Sequence, residues 1–166
     1  MISLNRSGRS PMIKYEIASY QPSDQEELLQ FFQSAFGEMG FAFELDSKDK
    51  DLRRIPDEYQ SNGGIFLLAR HDRQIIGTIA LHRIEQTTCE LKRFYVKEAY
   101  QRRGVGKSLL VKVINHARDV RFSRIRLDTT SKSPSAISLF RKHGFVEIAR
   151  YNNDPFAEIF MELRLD

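Results

Sequence analysis

Gln101-Arg102-Arg103-Gly104-Val105-Gly106 divides two stretches of opposite character. Ahead of it, Cys89 to Val96 reads as a strand. Behind it, Leu109, Leu110, Val113, Ile114 and Ala117 recur at helical spacing, so a helix runs to about Val120. The loop therefore sits between a strand and the start of a strong helix. The first backbone N–H groups of a helix have no partner inside it, and they attract any anion placed there. Gly104 and Gly106 remove side chains that would block close approach. Arg102, Arg103 and Lys107 add long-range attraction, and Ser108 completes the first turn. A diphosphate is the guest such a loop suits; the alternative is a strand-to-helix turn with no ligand.

Working outward, Met12 to Tyr20 reads as a first strand. Ser23-Asp24-Gln25-Glu26 has a capping-box pattern, followed by a helical stripe of Leu28, Leu29, Phe32, Ala35 and Phe36 that Gly37 and Gly40 end. Residues 46–60 suggest a short helix broken by Pro56. Asn62-Gly63-Gly64 marks a turn. Ile65 to Arg70, Gln74 to Arg83 and Cys89 to Val96 form an antiparallel meander. Beyond the glycine loop come a strand at Arg124 to Asp128, a short helix from Ser135 to His143 ended by Gly144, and two strands at Phe145 to Ala149 and Ala157 to Leu165. The expected fold is α/β of the mixed α+β kind: about seven strands, mostly antiparallel, with about four helices on the faces.

The 166 residues suit one globular domain, expected over 12–166, with Met1 to Pro11 as a flexible tail or cloning remnant. No apolar run approaches the ~20 residues of a membrane helix, so no membrane partner is expected. The single Cys89 excludes an internal disulfide and fits a reducing cytoplasm. With four scattered histidines and one cysteine, no metal site is expected. Charge is unevenly placed. Residues 15–91 carry 7 basic and 14 acidic groups, and residues 92–126 carry 11 basic and 2 acidic. A basic block inside acidic sequence fits an anionic ligand held by the middle of the chain. It has no known nucleic-acid motif, and no nucleic-acid partner is expected.

Two families share this kind of loop. Gly104-Val105-Gly106-Lys107-Ser108 ends like a Walker A motif, and Ile125-Arg126-Leu127-Asp128 looks like a Walker B strand. Residue 101 is Gln where the first Walker glycine belongs, and an antiparallel meander precedes the loop. The ordered motifs resemble instead the GNAT (Gcn5-related N-acetyltransferase) superfamily, whose pattern [QR]-x-x-G-x-[GA] is matched by Gln101-x-x-Gly104-x-Gly106. The resemblance extends to Cys89–Val96, to Leu127-Asp128-Thr129 and to Ala136-x-x-Leu139-Phe140-x-x-x-Gly144-Phe145. The tail Tyr151-Asn152-Asn153-Asp154-Pro155 and Phe160-Met161-Glu162-Leu163 resembles a small bacterial branch of that superfamily. Together these cover about residues 12–165.

The resemblance implies a sheet splayed between strands 4 and 5 with acetyl-CoA in the gap, CoA being the product. Phe94, Tyr95 and Val96 would pair with the pantetheine arm through their backbone. Residues 101–108 would hold the diphosphate, and Ser133, at a position often Asn in relatives, and Phe140 would line the cofactor. An amine would attack the thioester directly, and Glu90, eleven residues before Gln101, is the candidate base, with Glu85 a weaker one. A simple strand alternation puts Glu90, Lys92, Phe94 and Val96 on one face and Leu91, Arg93 and Tyr95 on the other. A backbone N–H near Tyr95 or Val96 would meet the oxyanion. The usual acid Tyr is replaced by Phe140; Tyr151 or Ser138 is the candidate substitute. The expected acceptor is a primary amine on a small molecule or peptide, cationic if the acidic segment builds its site. A monomer or homodimer fits. The alternative function is an acyl-CoA-binding sensor or interaction module with reduced turnover.

Overall fold

The computed structural model describes residues 12–166; the expected tail at 1–11 lies outside the described residues. Among the described residues, seven strands form one sheet in the order β1-β2-β3-β4-β5-β7-β6. They are β1 Glu16–Ser19, β2 Ile65–His71, β3 Gln74–Arg83, β4 Thr88–Val96, β5 Arg124–Thr129, β6 Val146–Ile148 and β7 Ile159–Arg164. All neighbours are antiparallel except β4 and β5. Three α-helices cover the faces: α1 Gln25–Glu38, α2 Val105–Asp119 and α3 Pro134–Lys142. The interrupted segment before β2 consists of a 3-10 turn at Lys50–Arg53 and a wide turn at Pro56–Gln60. Pro56 cannot donate a backbone hydrogen bond, so no continuous helix passes through it. At the first helix the capping bond comes two residues earlier than the pattern suggests: the Gln21 N–H donates to Asp24 Oδ2 at 2.8 Å, ahead of a short 3-10 turn.

Each face of the sheet has its own core. On one face α2 and α3 bury Leu109, Leu110, Val113 and Phe140 against Ile79, Leu81, Leu91 and Ile125. On the other, α1 packs Leu28, Phe32 and Phe36 with Leu52, Ile55 and Tyr59 against Phe66, Leu68 and Ile75. The two-sided burial explains why β3 reads as a nearly continuous apolar run.

Strand β4 departs from simple alternation, and the departure shapes the molecule. Ala80 faces Lys92 while Thr78 faces Tyr95, so β4 carries one residue more than β3 over that interval. Arg93 adopts a left-handed backbone with φ 56°, and the buried Thr78 hydroxyl donates to its carbonyl at 2.7 Å. After this bulge the faces exchange. Cys89, Leu91, Phe94 and Val96 belong to the α2 side, whereas Arg93 and Tyr95 join Glu90 and Lys92 on the α1 side. The expectation that Phe94 and Val96 share a face with Glu90 and Lys92, and Arg93 and Tyr95 with Leu91, is corrected by the extra residue.

Candidate active site

β4 and β5 pair only from Thr88 to Glu90 against Arg124 to Arg126. Beyond Glu90 they part, leaving a cavity of about 490 Å³. Its walls are Leu91 to Tyr95 of β4, Leu127 to Thr130 at the end of β5, Ser133 and Phe140 at α3, and Asp154 to Ala157 ahead of β7. Phe36, Met39 and Phe41 close it from the α1 side. Among the described residues, the β4 edge from Leu91 onward has no neighbouring strand on this side, so an extended ligand can pair with it as a strand would.

At the far end of β4, the Gln101 side chain donates to the Val96 carbonyl at 3.0 Å, tying the glycine loop to the strand. Gln101 thus acts through its side chain on the loop's position. The backbone N–H groups of residues 102–107 have no partner among the described residues, and the first bond of the helix is Ser108 N–H to the Gly104 carbonyl. The two glycines have different tasks. Gly104 has φ 84° and open space where a Cβ would stand. A Cβ on Gly106 would lie 3.2 Å from Phe94 Cζ, so its absence lets α2 approach β4. Gly104→Ala should therefore keep the fold but lose about 1–2 kcal/mol, the left-handed cost of a side chain; urea unfolding of the variant measures it, and an unchanged midpoint would disprove the strain. Ser108, grouped with the anion-binding residues, has its hydroxyl bonded to Tyr15 at 2.6 Å and holds the first turn of α2 to the segment before β1.

The basic block separates into two halves. Arg93 is buried against Asp49 and Asp51, Lys92 lies 3.8 Å from Glu90, and Arg124 and Arg126 reach Glu162. Arg102, Arg103 and Lys107 have no carboxylate partner among the described residues, nor do Lys112, Arg118 and Arg121 further along α2. Uncompensated positive charge thus surrounds the open N–H groups of the loop. Phe94 and Phe140 stand with ring centroids 5.6 Å apart between the cavity and the α2 core. Ser133 precedes the first residue of α3 and lines the cavity.

The carboxylates cluster where the strands begin to part. Glu90 is 9% exposed. Its Oε2 accepts the Tyr151 hydroxyl at 2.7 Å and the Asn152 amide at 3.5 Å. The same amide donates to Asp128 Oδ2 at 2.5 Å. Burial, and then the adjacent Glu90 charge, hold the Tyr151 phenol above its usual range. It donates its hydrogen bond to Glu90 and does not line the cavity, so the arrangement favours a positioning role over that of acid. Ser138 is exposed on α3 and lies outside the cavity. Glu85 bonds Thr88 and Arg126 at the outer end of the β4–β5 pair. Burial pushes the Cys89 thiol up to about 12, which leaves it an inert core residue.

Two members of this cluster enter the sequence reading only inside longer segments: Asp128 in Ile125–Asp128 and Leu127–Thr129, and Asn152 in the tail 151–155. Arg93, unremarkable in sequence, fixes the bulge: its Nη1 lies 2.8 Å from Asp49 and its Nε 3.0 Å from Asp51, which also accepts the Tyr59 hydroxyl.

A sheet that parts beside a helix N-terminus, with free N–H groups among the described residues, offers an extended anionic ligand both a strand edge and a row of donors. Residues 25–145 match the acetyltransferase (GNAT) family. The chain therefore belongs to the acetyltransferase (GNAT) family, whose members are acyltransferases. The solved structure of a GNAT-family acetyltransferase from Staphylococcus aureus is similar to it with a TM-score of 0.85 and 30% identity, covering 92% of this chain and all of that one. An uncharacterized N-acetyltransferase of Schizosaccharomyces pombe is 25% identical over 147 residues, 87% of this chain and 90% of the relative. The PaiA N-acetyltransferase of Thermoplasma acidophilum, solved in complex with coenzyme A, shares the fold at a TM-score of 0.68 and 22% identity over 92% of this chain. Among the described residues no helix is long and apolar enough to cross a membrane.

Proposed function

We propose that this protein transfers the acetyl group of acetyl-CoA to a primary amine. The observation that carries the reading is the row of unpartnered N–H groups at residues 102–107, ringed by Arg102, Arg103 and Lys107, next to the open edge of β4. These groups suit the diphosphate, and the backbone of Phe94, Tyr95 and Val96 suits the pantetheine arm. Phe140 and Ser133 would flank the thioester end. A PaiA relative of the same fold holds coenzyme A, which supports the assignment. When bound, acetyl-CoA supplies an activated acyl carbon. The protein contributes alignment of the amine, a carboxylate to accept its proton, and backbone N–H groups near Tyr95 and Val96 for the developing oxyanion.

The acceptor side is the α1 face of the cleft. Its charged lining is balanced: Lys48, Lys92 and Arg93 against Asp49, Asp128 and Asp154. Much of the acidity of residues 15–91 is taken up elsewhere, by Arg70 on Asp24 and Glu27 and by Arg93 on Asp49 and Asp51. The lining thus gives a polycation no advantage over a simple primary amine.

A thermal-shift titration with acetyl-CoA, CoA and Mg·ATP tests the reading. At 100 times the dissociation constant a ligand stabilises the native state by roughly 2.7 kcal/mol, a rise of several degrees. The expected result is a rise with both thioester and CoA and none with ATP. A rise with ATP alone would overturn the assignment. Binding of acetyl-CoA with no amine acetylated would favour the sensor alternative.

A further inference from the structure

Two carboxylates stand at the fork of β4 and β5, and they differ in what they can reach. Glu90 is opposite Arg126 in the last paired position, and Asp128 lies two residues further along β5 on the same face, where the strands have parted. Asp128 lines the cavity; Glu90 does not. Both oxygens of Glu90 have company: Tyr151 and Asn152 at Oε2, and the Lys92 ammonium 3.8 Å from Oε1. Asp128 receives one bond, from Asn152 to Oδ2, and its Oδ1 has no hydrogen-bond partner among the described residues. We propose that Asp128, rather than Glu90, is the carboxylate that meets the acceptor amine and takes its proton, with Glu90, Asn152 and Tyr151 as the residues that position it. This assignment rests on the acetyltransferase reading of the site.

The chemistry closes without a further reactant. An ammonium gives one proton to Asp128. The freed lone pair attacks the thioester carbonyl carbon, a C–N bond forms and the C–S bond breaks. The electron pair leaves with sulfur, which takes the second nitrogen proton, and Asp128 returns the first to solvent. Ammonium and acetyl thioester thus yield amide, thiol and one proton. A base for this task works best when its affinity for protons exceeds that of an ordinary carboxylate. Burial raises Asp128 above the usual carboxylate range, the Asn152 hydrogen bond opposes this, and the Glu90 and Asp154 charges add to the rise. The other charges facing it are Lys92 on β4 and, across the cavity, Lys48, Asp49 and Arg93. Burial thus keeps Asp128 basic, the Glu90 charge adds to the effect, and Asn152 is the amide that spaces the pair.

The test uses the full chain with acetyl-CoA and a panel of benzylamine, spermidine and an alanyl peptide with a free N-terminus. Asp128→Asn should lower kcat/KM on whichever amine reacts by about 10²-fold or more, and Glu90→Gln by less. The wild-type rate should fall with acid at a pH above the ordinary carboxylate range, and that limb should vanish in Asp128→Asn. Asp128→Ala should regain rate with added formate, which no purely structural role predicts. Independently of turnover, the Asp128 carboxyl followed by carbon NMR in the ligand-free protein should titrate above the ordinary range and move down in Glu90→Gln. Retention of most activity by Asp128→Asn while Glu90→Gln loses it would return the base to Glu90 and overturn the proposal. So would an Asp128 that titrates at or below the ordinary value. If the wild type acetylates no amine of the panel, the acetyltransferase reading itself fails and this assignment falls with it, whatever the NMR shows.

Discussion

Replacing Arg93 by Ala should cost about 3–5 kcal/mol, the loss expected when one partner of a buried charge group is removed and the rest stay buried. The Arg93 side chain is 8% exposed, and Asp49 and Asp51 beside it are 4% and 16% exposed. Without the guanidinium, two carboxylates face each other in the wall between α1 and the cleft. Burial alone would lower the Arg93 guanidinium, but the Asp51 carboxylate more than offsets it and holds it above its usual range. Burial would raise Asp51, yet the Arg93 hydrogen bonds prevail and hold it below its ordinary value. A depressed carboxylate contributes stability that is present above its unfolded value and lost as pH falls through the folded one. The wild type should therefore lose part of its stability below about pH 4, and Arg93→Ala should lack that part of the acid dependence. Arg93→Gly separates the ion pairs from the backbone. It forfeits the same charges but relieves the left-handed strain at φ 56°, so it should be about 1 kcal/mol more stable than Arg93→Ala. Urea unfolding of both variants is the measurement. An Arg93→Ala protein within about 1 kcal/mol of wild type would mean the network holds nothing together.

The same residue shows what a sequence hides. Most elements were legible because their signals are local: helical spacing in α1 and α2, alternation in β5, Gly144 after α3 and the glycine loop between β4 and α2. The row of free N–H groups follows from the helix start after the glycine loop, and the splay of β4 from β5 from the family resemblance; both are present. The bulge was not legible, because Arg93 is not a glycine and nothing in Lys92-Arg93-Phe94 announces a positive φ. One extra residue then reversed the faces of Phe94, Val96, Arg93 and Tyr95. The carboxylate cluster was only half legible for another reason. Its members come from residues 90, 128, 151 and 152, and the amide joining them acts across the sheet order, not along the chain. The sequence singles out Tyr151 as a candidate donor to sulfur; in the structure its hydroxyl donates instead to Glu90.

Gly64→Ala should cost ~4 kcal/mol or more, in the range that only a specific structural fault produces, or leave no folded protein. A Cβ built there would lie 2.2 Å from the Leu81 carbonyl oxygen and 2.2 Å from that of Tyr59. Neither is the tip of a flexible side chain. Leu81 lies on β3 opposite Ile65, and Tyr59 lies in the wide turn before β2. Relief requires the turn and β3 to separate at the point where β2 begins. Tyr59 is 1% exposed and its hydroxyl donates to Asp51. Moving it thus disturbs the carboxylate that holds Arg93, and through Arg93 the bulge that shapes the cleft. The neighbouring glycine supplies the control. Gly63 has φ 79°, and its Cβ would meet the Arg83 guanidinium at 3.0 Å, a side chain able to swing away. Gly63→Ala should therefore cost only the left-handed penalty of about 1–2 kcal/mol. Parallel urea titrations of the two variants distinguish steric exclusion by backbone from backbone strain. Equal midpoints for Gly63→Ala and Gly64→Ala would show that the turn yields freely, and that the cleft does not depend on this contact.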